Sequence, residues 1–172
     1  MQKTTWTIVG IALVLLLGVF YVLNSNQKQV GQEDTDQLSV NTHHFKKILA
    51  YENDYMGDAS NINNLFNHLP LSNYKGPIEL DSENLIFTIQ YDTASDKKAI
   101  IYNATAAFVL IKNLEKVSMH FSDQTYIVTR ENVEEWFGRD FAKLLDPDVF
   151  EVKVQEPLLE NNTDTWLNQY IK

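Results

Sequence analysis

The sequence predicts an α+β domain: a mostly antiparallel sheet of four to five strands with helices packed on one face, preceded by one N-terminal transmembrane helix. Three observations lead there. Trp6 to Leu23 is an unbroken uncharged run. Two pairs of alternating apolar and polar segments, each pair joined by a short polar stretch, read as hairpins. Helical apolar spacing recurs before, between and after those pairs.

At about 1.5 Å per residue, the N-terminal run nearly matches a hydrocarbon core of roughly 30 Å. Lys3 precedes it, and Asn24, Ser25, Asn26 and Gln27 follow. That bias favours the N-terminus inside the cell. Trp6 and Phe20-Tyr21 suit the two interfaces. A cleaved signal peptide is the competing reading. Its apolar region is usually about 7–15 residues and ends in a small-x-small site, which Tyr21 to Asn26 lacks. The expected division is a short cytoplasmic tail (1–5), an anchor (6–23), a flexible linker (24–39) and an extracytoplasmic α+β domain (40–172). The linker is rich in Gln, Asn, Asp and Ser and has no apolar period, so it buries too little to order itself.

The domain then unfolds in order. Phe45, Ile48 and Leu49 predict a helix whose stripe stops at Glu52. Tyr55-Met56-Gly57-Asp58 breaks it, with Gly57 suited to a left-handed helix end and Asp58 to the next N-cap. Ile62, Leu65, Phe66 and Leu69 form the second helical stripe, which Pro70 stops. Residues 77–81 and 85–91 alternate around the polar turn 81–84 and predict the first hairpin. Lys97 to about Leu114 is the central helix, with Ile100, Ala104, Ala107, Phe108 and Ile111 as its main stripe. Val117, Met119 and Phe121, then Tyr126 and Val128, predict the second hairpin. Thr129 caps a helix bearing Val133, Trp136, Phe137, Phe141, Leu144 and Leu145, continuous or broken at Gly138. Phe150, Val152 and Val154 alternate as a short fifth strand. Thr163 or Asp164 caps a last helix with Trp166, Leu167, Tyr170 and Ile171.

Formal net charge is −9, which argues against nucleic acid as a partner, since that needs clustered Lys and Arg. The absence of cysteine removes thiol catalysis and thiolate metal sites. There is no Gly-x-Ser-x-Gly, Walker loop, Gly-x-Gly-x-x-Gly or His-Glu-x-x-His, so the chain offers no catalytic, cofactor-binding or metal motif. His43-His44, His68 and His120 lack metal-ligand spacing. Glu79, Asp81 and Glu83 cluster at the first hairpin, where a solvated edge is the plain reading. The tyrosines read as amphipathic lids on the core. Asn103-Ala104-Thr105 has the sequon form but falls inside the central helix.

Several stretches carry a family likeness. They are Tyr55-Met56-Gly57-Asp58 through Asn64-Leu65 to Leu69-Pro70, Ile78-Glu79-Leu80 up to Tyr91-Asp92, Asn113-Leu114, Thr129-Arg130-Glu131 and Trp136-Phe137-Gly138. Together they resemble the domain-of-unknown-function family forty-eight twenty-five of Gram-positive bacteria, over roughly Phe45 to Leu145. The resemblance implies a membrane-tethered extracytoplasmic module, in some members attached to signalling membrane proteins. It implies no activity. Its shared residues Gly57, Asp58, Pro70, Trp136 and Gly138 read as structural.

The resulting expectation is a single-pass protein of the cell membrane, N-terminus cytoplasmic and C-terminal domain extracellular. It is a non-enzymatic module binding an envelope protein or a small-molecule ligand, without cofactor. The alternative is a small envelope hydrolase using paired carboxylates.

Overall fold

The computed structural model describes residues 38–160 and 163–171. The expected tail, the anchor Trp6–Leu23 and nearly all of the linker lie outside the described residues. No helix among the described residues is long and apolar enough to cross a membrane. Leu38 and Ser39, assigned above to the linker, already belong to the fold: Leu38 O accepts from Leu71 N, and Ser39 O from Thr42 N and His43 N.

A 3-10 helix, Phe45–Tyr51, opens the domain and buries Phe45 and Ile48. Helix α1 is Ala59–His68. Asp58 caps it, its carboxylate accepting from Asn61 N at 2.9 Å, and an extended Leu69 ahead of Pro70 closes it. Strands β1 (Lys75–Asp81) and β2 (Ile86–Tyr91) form the first hairpin. Helix α2, Lys97–Leu110, is capped by Asp96, which accepts from Lys98 N and Ala99 N. Strands β3 (Lys116–His120) and β4 (Thr125–Thr129) form the second hairpin. Helix α3 is Arg130–Phe137, capped by the Thr129 hydroxyl.

The sheet order is β1-β2-β3-β4, and it is mixed rather than mostly antiparallel. Each hairpin is antiparallel, but β2 and β3 pair in parallel. The cause lies in the connection. Helix α2 carries the chain back to the end of the sheet where β2 began, and a strand starting there runs the same way as β2. Alternation identifies strands but says nothing of how two hairpins join.

One sheet face carries Phe87, Ile89, Tyr91, Val117, Met119, Tyr126 and Val128, all buried. The other carries Glu79, Thr88, Gln90, Ser118, His120 and Ile127 and is largely open to solvent. Helix α2 is buried nearly all round rather than along one stripe. An all-round apolar helix needs cover on every side. The sheet supplies one side; Tyr170, Phe150 and the 3-10 helix supply the other. The helix also ends at Leu110, four residues short of the expected Leu114, where Ile111 turns extended.

The fifth strand does not form. Pro147–Phe150 is a short helix α4, Glu151–Gln155 a turn of π-helix and Glu156–Glu160 helix α5. Phe150 and Val154 are buried while Val152 is 54% exposed. A helix places residues four apart on one face and leaves the residue between them outside, so three apolar positions two apart fit a helix as well as a strand. Helix α6, Thr163–Tyr170, buries Trp166, Leu167 and Tyr170. Of the two readings left open at Gly138, the broken one holds: α3 stops at Phe137, and a 3-10 helix, Gly138–Lys143, follows.

Candidate functional site

The residues singled out in the sequence fall into two separate groups. Asp58 caps α1 and Pro70 follows its end, as expected. Gly57 is not in a left-handed conformation: among the described residues the positive φ angles belong to Gly138, Leu71 and Leu85. A Cβ added at Gly57 would meet only Ser82 Oγ, at 3.6 Å. Gly138 does need to be glycine. Its φ of 54° and ψ of −127° lie in a region that L side chains avoid. It turns the chain directly after Trp136-Phe137 and so fixes where the Trp136 ring is presented.

Sequence reasoning passed over Arg130, which organises the far end of α2. Its Nε donates to Leu114 O at 2.8 Å, and its Nη2 to Phe108 O at 2.9 Å and Ile111 O at 2.7 Å. Its guanidinium also lies 5.4 Å from the Phe108 ring centroid and 5.8 Å from that of Phe141. A helix C-terminus leaves carbonyls without partners and carries partial negative charge, and one planar cation answers both. Nothing in the spacing of Thr129-Arg130-Glu131 signals this, because the partners lie well upstream.

Four polar groups or pairs could do chemistry by residue type, and His43, Asn103 and Asp81 prove to be parts of the frame. His43 is buried; its Nε2 donates to His68 O at 2.8 Å, so its Nδ1 accepts from the Tyr102 hydroxyl at 2.6 Å. Burial lowers its pKa from 6.5 to about 4, and burial raises that of the Tyr102 phenol. Asn103, in the sequon, is buried and donates to Pro70 O at 2.8 Å. On the open sheet face, Ser118 Oγ lies 2.9 Å from His120 Nε2. That resembles a nucleophile and its base, but among the described residues no carboxylate is hydrogen-bonded to the other ring nitrogen. In the acidic hairpin, Asp81 accepts from Asn84 Nδ2, Asn84 N and Glu83 N. The Asn84 side chain is the main reason its pKa is lowered. That carboxylate holds the turn. Among the described residues no group of three or more His, Asp or Glu is placed to hold a metal ion.

Among the described residues, a half-open cleft of about 480 Å³ lies between α3, the π-turn, α5 and the start of α6. Trp136 and Trp166 stack as its aromatic side, ring centroids 5.1 Å apart at 18°. Phe137 and Tyr170 meet Trp166 edge-on and hold it in place. Trp166 is buried while Trp136 is 39% exposed, so Trp136 offers a free ring face. The Trp166 indole N–H has the Tyr170 hydroxyl beside it but no hydrogen bond of good geometry. Lys153, Glu156, Glu160 and Thr165 provide the polar lining, with Val152 and Pro157 between them. Glu156 and Glu160, four apart, share one side of α5. Asn132 Nδ2 donates to Tyr170 O and Gln169 Nε2 to Glu135, which ties α3 to α6 and keeps the two tryptophans in register.

Of the residues marked in the sequence, only Trp136 lines this cleft. The strand assigned to 150–154 hid the wall that Val152 and Lys153 form. The strands, α1, α2 and the cap that holds them are a continuous stretch of the chain, and that stretch has relatives. Residues 48–132 match a domain of unknown function (DUF4825). No curated protein matches the chain, and neither does any solved structure. The DUF4825 segment contains α1, the whole sheet, α2 and the first turn of α3, including Arg130. It stops before Trp136-Phe137-Gly138, which the resemblance had taken in. The cleft is therefore built almost wholly from the sequence that follows the DUF4825 match.

Proposed function

We propose that the chain is a single-pass, membrane-anchored binding module whose domain lies outside the cell and takes a ligand in the Trp136–Trp166 cleft. The cleft carries this reading. It falls within the size range of small-molecule sites and pairs an exposed aromatic face with a few polar groups. The anchoring half of the proposal rests on the uncharged run Trp6–Leu23 and on Lys3 before it. Function then sits on an addition to a structural DUF4825 frame.

The lack of cysteine makes topology testable without a background. Ser122 is exposed in the β3–β4 turn. In intact cells, a membrane-impermeant maleimide is expected to label Ser122→Cys and to miss Gln2→Cys, with the chain staying in the carbonate-washed membrane fraction. Labelling of Gln2→Cys alone, or release of the chain into the soluble fraction, refutes the anchored orientation. Ligand screening by Trp emission, repeated on Trp136→Ala, tests the cleft.

A further inference from the structure

The chemistry of the cleft narrows what it holds. Its polar lining sets two acceptor-only carboxylates beside the donors of Lys153 and Thr165. Ionised Glu156 and Glu160 accept and do not donate, and they face the same space as the exposed Trp136 ring. The one cation of the lining, Lys153, is turned toward Asp140, its Nζ 3.5 Å from that carboxylate. The lining thus sets two carboxylates and a π face against one ammonium, in a chain whose formal charge is −9. A π face attracts cations through its quadrupole, and adjoining carboxylates add to that attraction. A neutral sugar stacking on Trp136 needs donors around the ring as well as acceptors, and this wall supplies few.

We propose that the cleft binds a small cationic solute, with a protonated amine or guanidinium seated between the Trp136 ring and the carboxylates of Glu156 and Glu160. The group that fits best is planar and donor-rich: a guanidinium stacks on the indole and sends its N–H groups to the carboxylates. The proposal rests on the cleft being the binding site and adds the class of ligand.

The test uses the full chain in mild detergent with Trp6→Phe, so that emission reports Trp136 and Trp166. Argininamide is titrated, with chitotriose as the neutral probe. The expected result is a saturable emission change with argininamide, at least about ten-fold weaker in Glu156→Gln/Glu160→Gln and in Trp136→Ala, as loss of paired charge and of the π face implies. Glu79→Gln/Glu83→Gln, an equal charge change at the distant hairpin, is expected to leave binding intact. Equal weakening by the hairpin pair means diffuse attraction to an acidic protein and overturns the proposal. Saturable chitotriose binding that needs Trp136 but neither glutamate overturns the ligand class and leaves the cleft reading standing. Silence with both probes overturns both.

Discussion

Arg130→Met is the most informative perturbation of the frame. The methionine keeps an apolar stem against Phe108 and Phe141 but removes every donor. Three carbonyls at the end of α2 then lose a cationic partner. A hydrogen bond to a charged group contributes about 1.5–3 kcal/mol, and an orphaned buried carbonyl costs a similar amount. The contributions overlap, and the side chain is 12% exposed, so water reaches part of the site. The expected loss is therefore about 3–5 kcal/mol, well below the simple sum. The outer contact with Glu134, itself half exposed, adds little. Arg130→Lys keeps the charge at the helix end but cannot reach carbonyls on both sides of a plane. It is expected to lose about 1–3 kcal/mol, since the favourable dipole interaction survives. Urea unfolding of the full chain in detergent, followed by far-UV circular dichroism, measures both. A loss below 1 kcal/mol for the methionine variant refutes the view that these carbonyls depend on Arg130.

Gly138→Ala meets no atom within 4 Å, so only backbone strain opposes it. The expected cost is about 1–3 kcal/mol by thermal unfolding, with Trp136 emission shifted as its ring moves. Asp96→Ala removes two bonds from the start of α2 and is expected to cost about 1 kcal/mol in the same assay. His43 has a folded pKa near 4 against 6.5 unfolded. Its contribution is complete above pH 6.5 and is lost as pH falls toward 4, where protons bind the unfolded chain more readily. The loss reaches about 3 kcal/mol at low pH, at about 1.4 per pKa unit. Unfolding midpoints measured from pH 7 to 4 are expected to fall less steeply in His43→Gln than in the parent.

Much of the frame was legible because its signals are local. Asp58 and Asp96 cap the helices they precede, and Phe87, Ile89 and Tyr91 alternate as strand residues do. What escaped depends on residues far apart in the chain. The parallel pairing of β2 with β3 is set by where α2 returns the chain. Arg130 is explained only by carbonyls at 108, 111 and 114. Among the described residues the left-handed ones are Leu71 and Leu85, not Gly57, and leucine gives no hint of that conformation. The wall of the cleft that Val152 and Lys153 form was hidden by one misassigned strand. Phe150, Val152 and Val154 alternate, but the register that buries Phe150 and Val154 turns Val152 outward as a wall of the cleft.

The π-turn Glu151–Gln155 does two jobs at once. Its outer side gives Val152 and Lys153 to the cleft. Its inner side points Gln155 at the opening of the domain, where Nε2 donates to Val40 O at 2.6 Å and His43 O at 2.9 Å. A wider helical turn of this kind is under-wound and easily reset by one residue. Val152 therefore shares its short turn with the side chain that holds Val40 and His43, near the first described residues. One five-residue turn thus joins the wall of the cleft to the start of the domain.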